Sequence, residues 1–284
     1  MHLDKDIILP FIDLALKEDI GDGDHTSLST IPSGQQGEAQ LIIKDEGVLA
    51  GVAVALEIFN VVDPNIKIEV LLEDGTEVTH GDIGMYVSGS VHSILIAERL
   101  VLNTMQRMSG IATTTHNIVR LLTDTGTKVL DTRKTTPGMR YLEKLAVKIG
   151  GGENHRFGLY DMILIKDNHV DYSGGTAKAI EAAKTYLSNN HINIPIEIEV
   201  RNLSEVKEVM RVGGVDRILL DNFDYSHLKE AVQLIDGRYI TEASGGITEE
   251  NVVEYAKCGV DFVSIGALTH SFKSLDMSLK AINE

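Results

Sequence analysis

Cysteine is almost absent: Cys258 is the only one in the chain, so no intrachain disulfide can form and a reducing, cytoplasmic setting is expected. Long apolar runs are missing too, and nothing approaches the roughly 18–20 residues needed to span a bilayer. The first residues, Met1-His2-Leu3-Asp4-Lys5-Asp6, lack the basic-then-apolar pattern of a secretory signal. No repeat of fixed period and no low-complexity tract stands out. Positive charge is scarce, with 26 Lys and Arg against 42 Asp and Glu and a net charge of −16. That balance argues against nucleic acid or an anionic membrane as a general partner. What remains is a chain of 284 residues, 43% apolar and 24% charged, ordinary for a folded protein of one large or two modest domains.

The charge is unevenly spread. Between Lys128 and Lys166 there are eight Lys or Arg and four acids, so this stretch carries +4 and the remainder −20. A basic island in an acidic chain suggests a local anion site. Lys144 and Lys148, spaced i,i+4 after Tyr141, read more simply as a solvated helix face.

The first third mixes element types. A near-helical period covers 4–19, strand-like alternation covers 38–44 and 66–72, and helix-like stretches cover 52–62 and 94–108. From about residue 127 short apolar runs (128–130, 162–165, 196–200, 218–220, 239–241, 262–265) alternate with helical segments (141–150, 177–187, 204–212, 226–235, 248–258). Repeated βα units imply a parallel sheet. Each run leads into polar or glycine-rich residues, as a barrel requires when its strand ends share one mouth. An open doubly wound sheet would instead carry its glycine loop after the first strand. The expected architecture is an N-terminal α+β domain (1–109) and an α/β barrel (110–270).

Several motifs carry chemistry. Asp131-Thr132-Arg133-Lys134-Thr135-Thr136-Pro137-Gly138 sets two cations among hydroxyls at a strand end, suited to phosphate or carboxylate. Gly150-Gly151-Gly152-Glu153-Asn154-His155-Arg156 allows close backbone approach and adds donors. In Ile196-Glu197-Ile198-Glu199-Val200 the aliphatic face should meet the helices, leaving both glutamates inward, where an unpaired carboxylate is costly. Glu199 and Asp221, ending successive strands, could hold Mg²⁺. Ser244-Gly245-Gly246 and Gly266-Ala267 follow the last two runs, where barrels often bind phosphate. Arg99, Asn103 and Gln106 share a helix face, which reads as solvated unless Arg99 reaches a ligand in its own or a neighbouring subunit. The acidic run Glu18–His25 fails the EF-hand pattern and reads as a turn after a helix. Cys258 reads as a packed thiol.

The strings at 131–138, 143–156 and 164–169 resemble quinolinate phosphoribosyltransferase, the decarboxylating enzyme of NAD biosynthesis. Ala-Glu-Arg at 97–99, Ser-Gly-Ile-Ala-Thr at 109–113, Leu-Asp-Asn-Phe at 220–223 and Glu-Ala-Ser-Gly-Gly-Ile at 242–247 extend the resemblance over nearly the whole chain. Met139 and Leu145 are slight departures. The resemblance implies an N-terminal α/β domain, an incomplete TIM-like barrel, a C-terminal tail (271–284) returning to the first domain, and a homodimer or higher oligomer in which Arg99 enters the partner's site. By the same carry-over Arg133, His155, Arg156 and Lys166 hold the carboxylates of quinolinate. Lys134, Glu199, Asp221, Ser244, Gly245 and Gly266 surround phosphoribosyl pyrophosphate and Mg²⁺, with Thr132, Gly246 and Ser264 completing the substrate-binding set. Lys134, Glu199 and Asp221 are the catalytic candidates, and the metal falls to Glu199 and Asp221, directly or through water. A Schiff-base aldolase using Lys134 or Lys166, and a related transferase or binding protein that keeps the pocket without the reaction, are the competing readings.

Overall fold

The computed structural model describes residues 3–282. The chain divides into two compact units. One comprises Met1–His116, Thr136–Gly151 and Ser271–Glu284, the other Asn117–Thr135 and Gly152–His270.

The first unit begins with α1 (Lys5–Ile20), capped by Asp4, whose carboxylate accepts the Asp6 N–H at 3.1 Å. The acidic run that follows has a structural task, because Asp24 caps the short α2 (His25–Thr30) through the Ser27 N–H. Next come β1 (Gln36–Ile43), β2 (Gly47–Val48), α3 (Val52–Val62), β3 (Lys67–Val70), β4 (Glu77–Val78), β5 (Ile83–Ser90) and the long α4 (Val91–Leu121), which crosses from this unit into the other. No side chain of the preceding residue caps α3. Instead Asp74 accepts the N–H groups of Gly51, Val52 and Ala53 at 2.6, 2.9 and 3.2 Å, meeting donors a helix start leaves open.

Two later segments belong to this unit. The first holds α5 (Arg140–Ile149), within the span that the sequence reading gives to the barrel. Its inner face carries Leu142, Glu143, Lys144, Ala146 and Val147. Glu143 takes the Arg107 guanidinium at 3.0 and 2.5 Å and the Thr136 N–H at 3.1 Å. Lys144, read above as solvated, is buried and only Lys148 is exposed: the apolar stripe of α5 rotates the first lysine inward. The second segment ends in β12 (Met277–Ala281), antiparallel to β1, in a sheet ordered β12-β1-β5-β3.

The second unit is built on a six-stranded, wholly parallel sheet. Its strands are β6 (Lys128–Leu130), β7 (Ile163–Ile165), β8 (Ile196–Val200), β9 (Arg217–Asp221), β10 (Ile240–Ser244) and β11 (Phe262–Ser264), in the order β6-β11-β10-β9-β8-β7. Between them lie α6 (Asp167–Ser173), α7 (Thr176–Asn190), α8 (Leu203–Val212), α9 (Tyr225–Ile235), α10 (Val252–Ala256) and, after β11, α11 (Ala267–His270). All five β8 residues are buried, as expected where one face meets helices and the other fills an interior. Among the described residues no ladder joins β6 to β7, so the α/β barrel is incomplete. At that open edge Glu153 forms a single parallel bridge with Leu130. Residues 153–156 therefore run beside β6 without becoming a full strand. Among the described residues, no helix is long and apolar enough to cross a membrane.

Candidate functional site

The C-terminal ends of all six strands open on one cavity of 860 Å³. Thr132, Arg133 and Lys134 reach it after β6, and Lys166 after β7. Glu199 comes from β8, Asp221 from β9, Ser244, Gly245 and Gly246 from β10, and Ser264 and Gly266 from β11. His155 and Arg156 enter from the bridged segment. Every sequence-assigned site residue except Arg99 lines this space. Arg99 is exposed on α4.

The cavity is electrostatically divided. Arg156 is partly buried, and burial together with the nearby Arg133 charge pushes its guanidinium down from the ordinary value. Its Nη1 donates to the Met162 carbonyl at 3.1 Å. Two crowded cations favour an anion between them. On the other side burial, then the Glu199 charge, pushes the Asp221 carboxyl up, so a cation is favoured there. Lys166 spans the two regions, with Nζ 3.1 Å from Glu199 Oε2.

The backbone shapes each side. Buried Asp131 accepts the His155 N–H at 2.9 Å and the Asn154 side-chain amide at 2.6 Å, tying the bridged segment to β6. Asp161 accepts the N–H groups of Phe157 and Gly158 at 2.6 and 2.8 Å and fixes the loop beyond. The Lys134 main chain is also held, its carbonyl accepting the Thr269 hydroxyl at 2.9 Å. At the end of β10, Gly245 has φ +99°, and a Cβ there would lie 2.6 Å from Asn222 Cγ and 3.0 Å from Asn222 N. Asn222 is itself left-handed at φ 53° and donates its amide to Asp221 at 2.5 Å.

Beneath the cavity the barrel interior is charged. Glu197 and Glu242 have 0% exposure. His155 Nε2 lies 2.9 Å from Glu197 Oε2 and 3.6 Å from Glu242 Oε2. Arg217, at the start of β9, donates to Glu242 at 2.8 Å and stacks 4.7 Å above the Phe262 ring. Burial pushes the Glu242 carboxyl up to about 7, reinforced by the Glu197 charge and opposed by His155 and Arg217. Glu197 is raised chiefly by burial, with Arg217 opposing. One ligand atom from each of His155, Glu197 and Glu242 falls within a 4.8 Å cluster, but Arg217 already supplies the cation on Glu242.

The His155 ring is turned into this network, since its Nδ1 accepts the Arg156 N–H at 2.7 Å. One ring nitrogen thus accepts from the Arg156 main chain and the other faces the acids, while the residue still lines the cavity. The sequence reading passed over Asn222, His270, Leu164 and Leu219, which also line the cavity. Leu164 and Leu219 could have been found by continuing the period of two back from Lys166 and Asp221. His270 sits in a four-residue helix with no sequence signal of its own. Cys258 is half-buried, with Sγ 3.3 Å from the Glu254 carbonyl, and burial pushes its thiol up, as suits a packed thiol.

Comparison with known proteins gives a consistent result. The N-terminal domain model of quinolinate phosphoribosyl transferase matches residues 24–109 and the C-terminal domain model matches 111–280. A chloroplastic nicotinate-nucleotide pyrophosphorylase (carboxylating) of Arabidopsis thaliana is 47% identical over 290 residues, covering 96% of this chain and 82% of that protein. A probable nicotinate-nucleotide pyrophosphorylase (carboxylating) of Bacillus subtilis is 44% identical over 262 residues, with 92% and 89% covered. Among solved structures, NadC from Streptococcus pyogenes superposes with a TM-score of 0.93 at 38% identity, over 100% of both chains.

Proposed function

The chain belongs to the quinolinate phosphoribosyl transferase family, and on that premise we propose that it transfers the phosphoribosyl group of phosphoribosyl pyrophosphate to quinolinate, releasing pyrophosphate and CO₂ and leaving nicotinate mononucleotide. The observation that carries this reading is the division of one cavity into a cation-crowded and a carboxylate-crowded side. Arg133, Arg156 and Lys166 suit a dicarboxylate, and a buried cation left without its partner penalises a mono-acid. Glu199 and Asp221 suit the ribose hydroxyls and the positive charge that develops at ribose C1.

The Glu199–Asp221 pair also fits Mg²⁺, because it offers hard oxygen donors whose mutual repulsion a cation relieves. Bound by these residues, such an ion would supply charge neutralisation for the pyrophosphate. Lys134 shares that task from the loop after β6, while Thr132, Ser244, Gly245, Gly246, Ser264 and Gly266 offer hydroxyl and backbone donors to the phosphates. The pyridine nitrogen attacks C1 and the C1–O bond electrons leave with pyrophosphate. The ring nitrogen, now cationic, stabilises the electron pair left when the adjacent C–CO₂ bond breaks, and that carbon then takes a proton. No protein nucleophile is required, so the residues act by positioning and electrostatics.

Incubation with quinolinate, phosphoribosyl pyrophosphate and Mg²⁺ should yield CO₂ and nicotinate mononucleotide, and borohydride should trap no substrate on the protein. Absence of both products, or a trapped adduct on Lys134 or Lys166, would overturn the reading. A homodimer or higher oligomer, with Arg99 serving the neighbouring site, belongs to the same proposal: Arg99 is exposed and does not line the cavity. Mixing Arg99→Ala and Lys134→Ala proteins should then restore activity that neither has alone. A cytoplasmic setting is supported by the single free Cys258.

A further inference from the structure

The charged layer under the cavity invites a question of purpose. Glu197, Glu242 and Arg217 stand on three adjacent strands, β8, β10 and β9. The two carboxylates are fully buried and Arg217 is 14% exposed at its side chain. Burying such a set costs desolvation energy that aliphatic side chains of the same volume avoid, so a contribution to stability does not explain it.

Its connections point upward instead. Arg217 holds Glu242 at 2.8 Å, and both carboxylates face His155 Nε2. Because the Arg156 N–H donates to His155 Nδ1, that nitrogen carries no proton, and the ring proton resides on Nε2, toward the acids. The same ring thus joins the buried charges to the main chain of Arg156. Other anchors hold this segment, among them Asp131 on the His155 N–H and the Asn154 amide, the Glu153 bridge to Leu130, and the Met162 carbonyl on the Arg156 guanidinium. Among the described residues, only the imidazole accepts the Arg156 N–H.

We propose that Glu197, Glu242 and Arg217 are positioning residues that, through the His155 ring, hold Arg156 in place for the dicarboxylate. The proposal rests on the assignment of Arg156 to quinolinate. It adds that the residues of this layer, of which only Glu242 lines the cavity, set the affinity for quinolinate through Arg156.

The test measures KM for quinolinate and for phosphoribosyl pyrophosphate, with kcat, in Glu197→Gln, Glu242→Gln and Arg217→Met, alongside Arg156→Gln. Orienting residues behind a ligand contact typically contribute about 10–100-fold in affinity or activity. Quinolinate KM should therefore rise about tenfold or more in the three network variants. KM for phosphoribosyl pyrophosphate should stay within about twofold of the parent in Glu197→Gln and Arg217→Met, whereas Glu242 also bonds the Ser264 side chain and its variant is read on quinolinate KM alone. Nitrogen-15 spectra of the His155 ring, assigned with His155→Gln, should show Nδ1 unprotonated in the parent and a shifted tautomer balance in Arg217→Met. If Arg217→Met does not fold, the joint replacement of Arg217→Met, Glu242→Leu and Glu197→Gln removes the charges of the layer together, and the rise in quinolinate KM is expected to persist. An equal rise in both KM values, or unchanged kinetics while Arg156→Gln raises quinolinate KM, overturns the positioning role alone. An unchanged quinolinate KM in Arg156→Gln overturns the Arg156 assignment and this proposal with it.

Discussion

Replacing Gly245 by alanine tests the turn after β10 in isolation. The backbone there has φ +99°, which an L side chain adopts only with strain of roughly 1–3 kcal/mol. The new methyl would also sit 2.6 Å from Asn222 Cγ and 3.0 Å from Asn222 N. The side chain can swing away, but the main-chain nitrogen is held by the Ser244 carbonyl at 2.9 Å and has to shift with its loop. Swinging the amide off breaks its bond to the Asp221 carboxylate, a charged hydrogen bond of about 1.5–3 kcal/mol. The combined cost is then roughly 3–5 kcal/mol. Gly246→Ala is the control, because φ is +62° but a Cβ there meets nothing within 4 Å, leaving strain alone at roughly 1–3 kcal/mol. Denaturant titrations of the two variants should therefore differ by about 2 kcal/mol or more, well outside extrapolation error. Gly245→Ala should in addition raise the KM for phosphoribosyl pyrophosphate, since Asp221 loses its tether. Equal stabilities would refute the claim that Asn222 packs against this glycine, and an unchanged KM would refute its link to Asp221.

Other expectations follow from the same geometry. Lys134→Ala should lower kcat by about 10²–10³, the usual loss for one electrostatic stabiliser, whereas Lys257→Ala, on an exposed ion pair with Glu254, should leave turnover intact; parity between them would remove Lys134 from the mechanism. Asp221→Asn should raise the Mg²⁺ concentration giving half-maximal rate, and an unchanged metal response would take Asp221 out of the metal site. Glu242 has its carboxyl raised from 4.5 to about 7, so the folded chain keeps a proton that the unfolded chain releases. Folding stability should accordingly fall as pH climbs across that window and level off above it. Melts of Glu242→Gln should be flatter over the same range; an identical slope would place the titrating group elsewhere.

Much of the second unit could be read directly from the chain because its signals are local. The period of two in β8 announced inward glutamates, and the run 131–138 announced cations at a strand end. Arg217 escaped notice because an arginine flanking an apolar run looks like any solvated boundary, and only closure of the sheet aims it at Glu242. In the first unit β5 carries two glycines that mask its pattern, and β12 is a strand only because β1, more than 200 residues away, offers its edge. The helix-like stretch read at 94–108 stops short, because α4 continues through Gly110 to Leu121, although glycine normally weakens a helix. A side chain at Gly110 would meet the Lys273 carbonyl carbon at 2.9 Å, so the small residue serves close chain approach. Lys144 was misread for the same reason as Arg217, because nothing local says which side of α5 a partner will cover.

The unfinished edge of the barrel has a consequence for how such an enzyme can change. Four inner strands carry most of the groups assigned to phosphoribosyl pyrophosphate, joined by Thr132 and Lys134 after β6, and altering the strands' spacing would unsettle the whole ladder. The segment at 153–156 hangs on β6 by one bridge and a few side-chain bonds. Its place is set by side-chain bonds to Asp131 and by the His155 ring more than by strand pairing. The His155–Arg156 part of the acceptor end is therefore tied to the ladder more loosely than the strand ends that carry Glu199, Asp221 and Ser244.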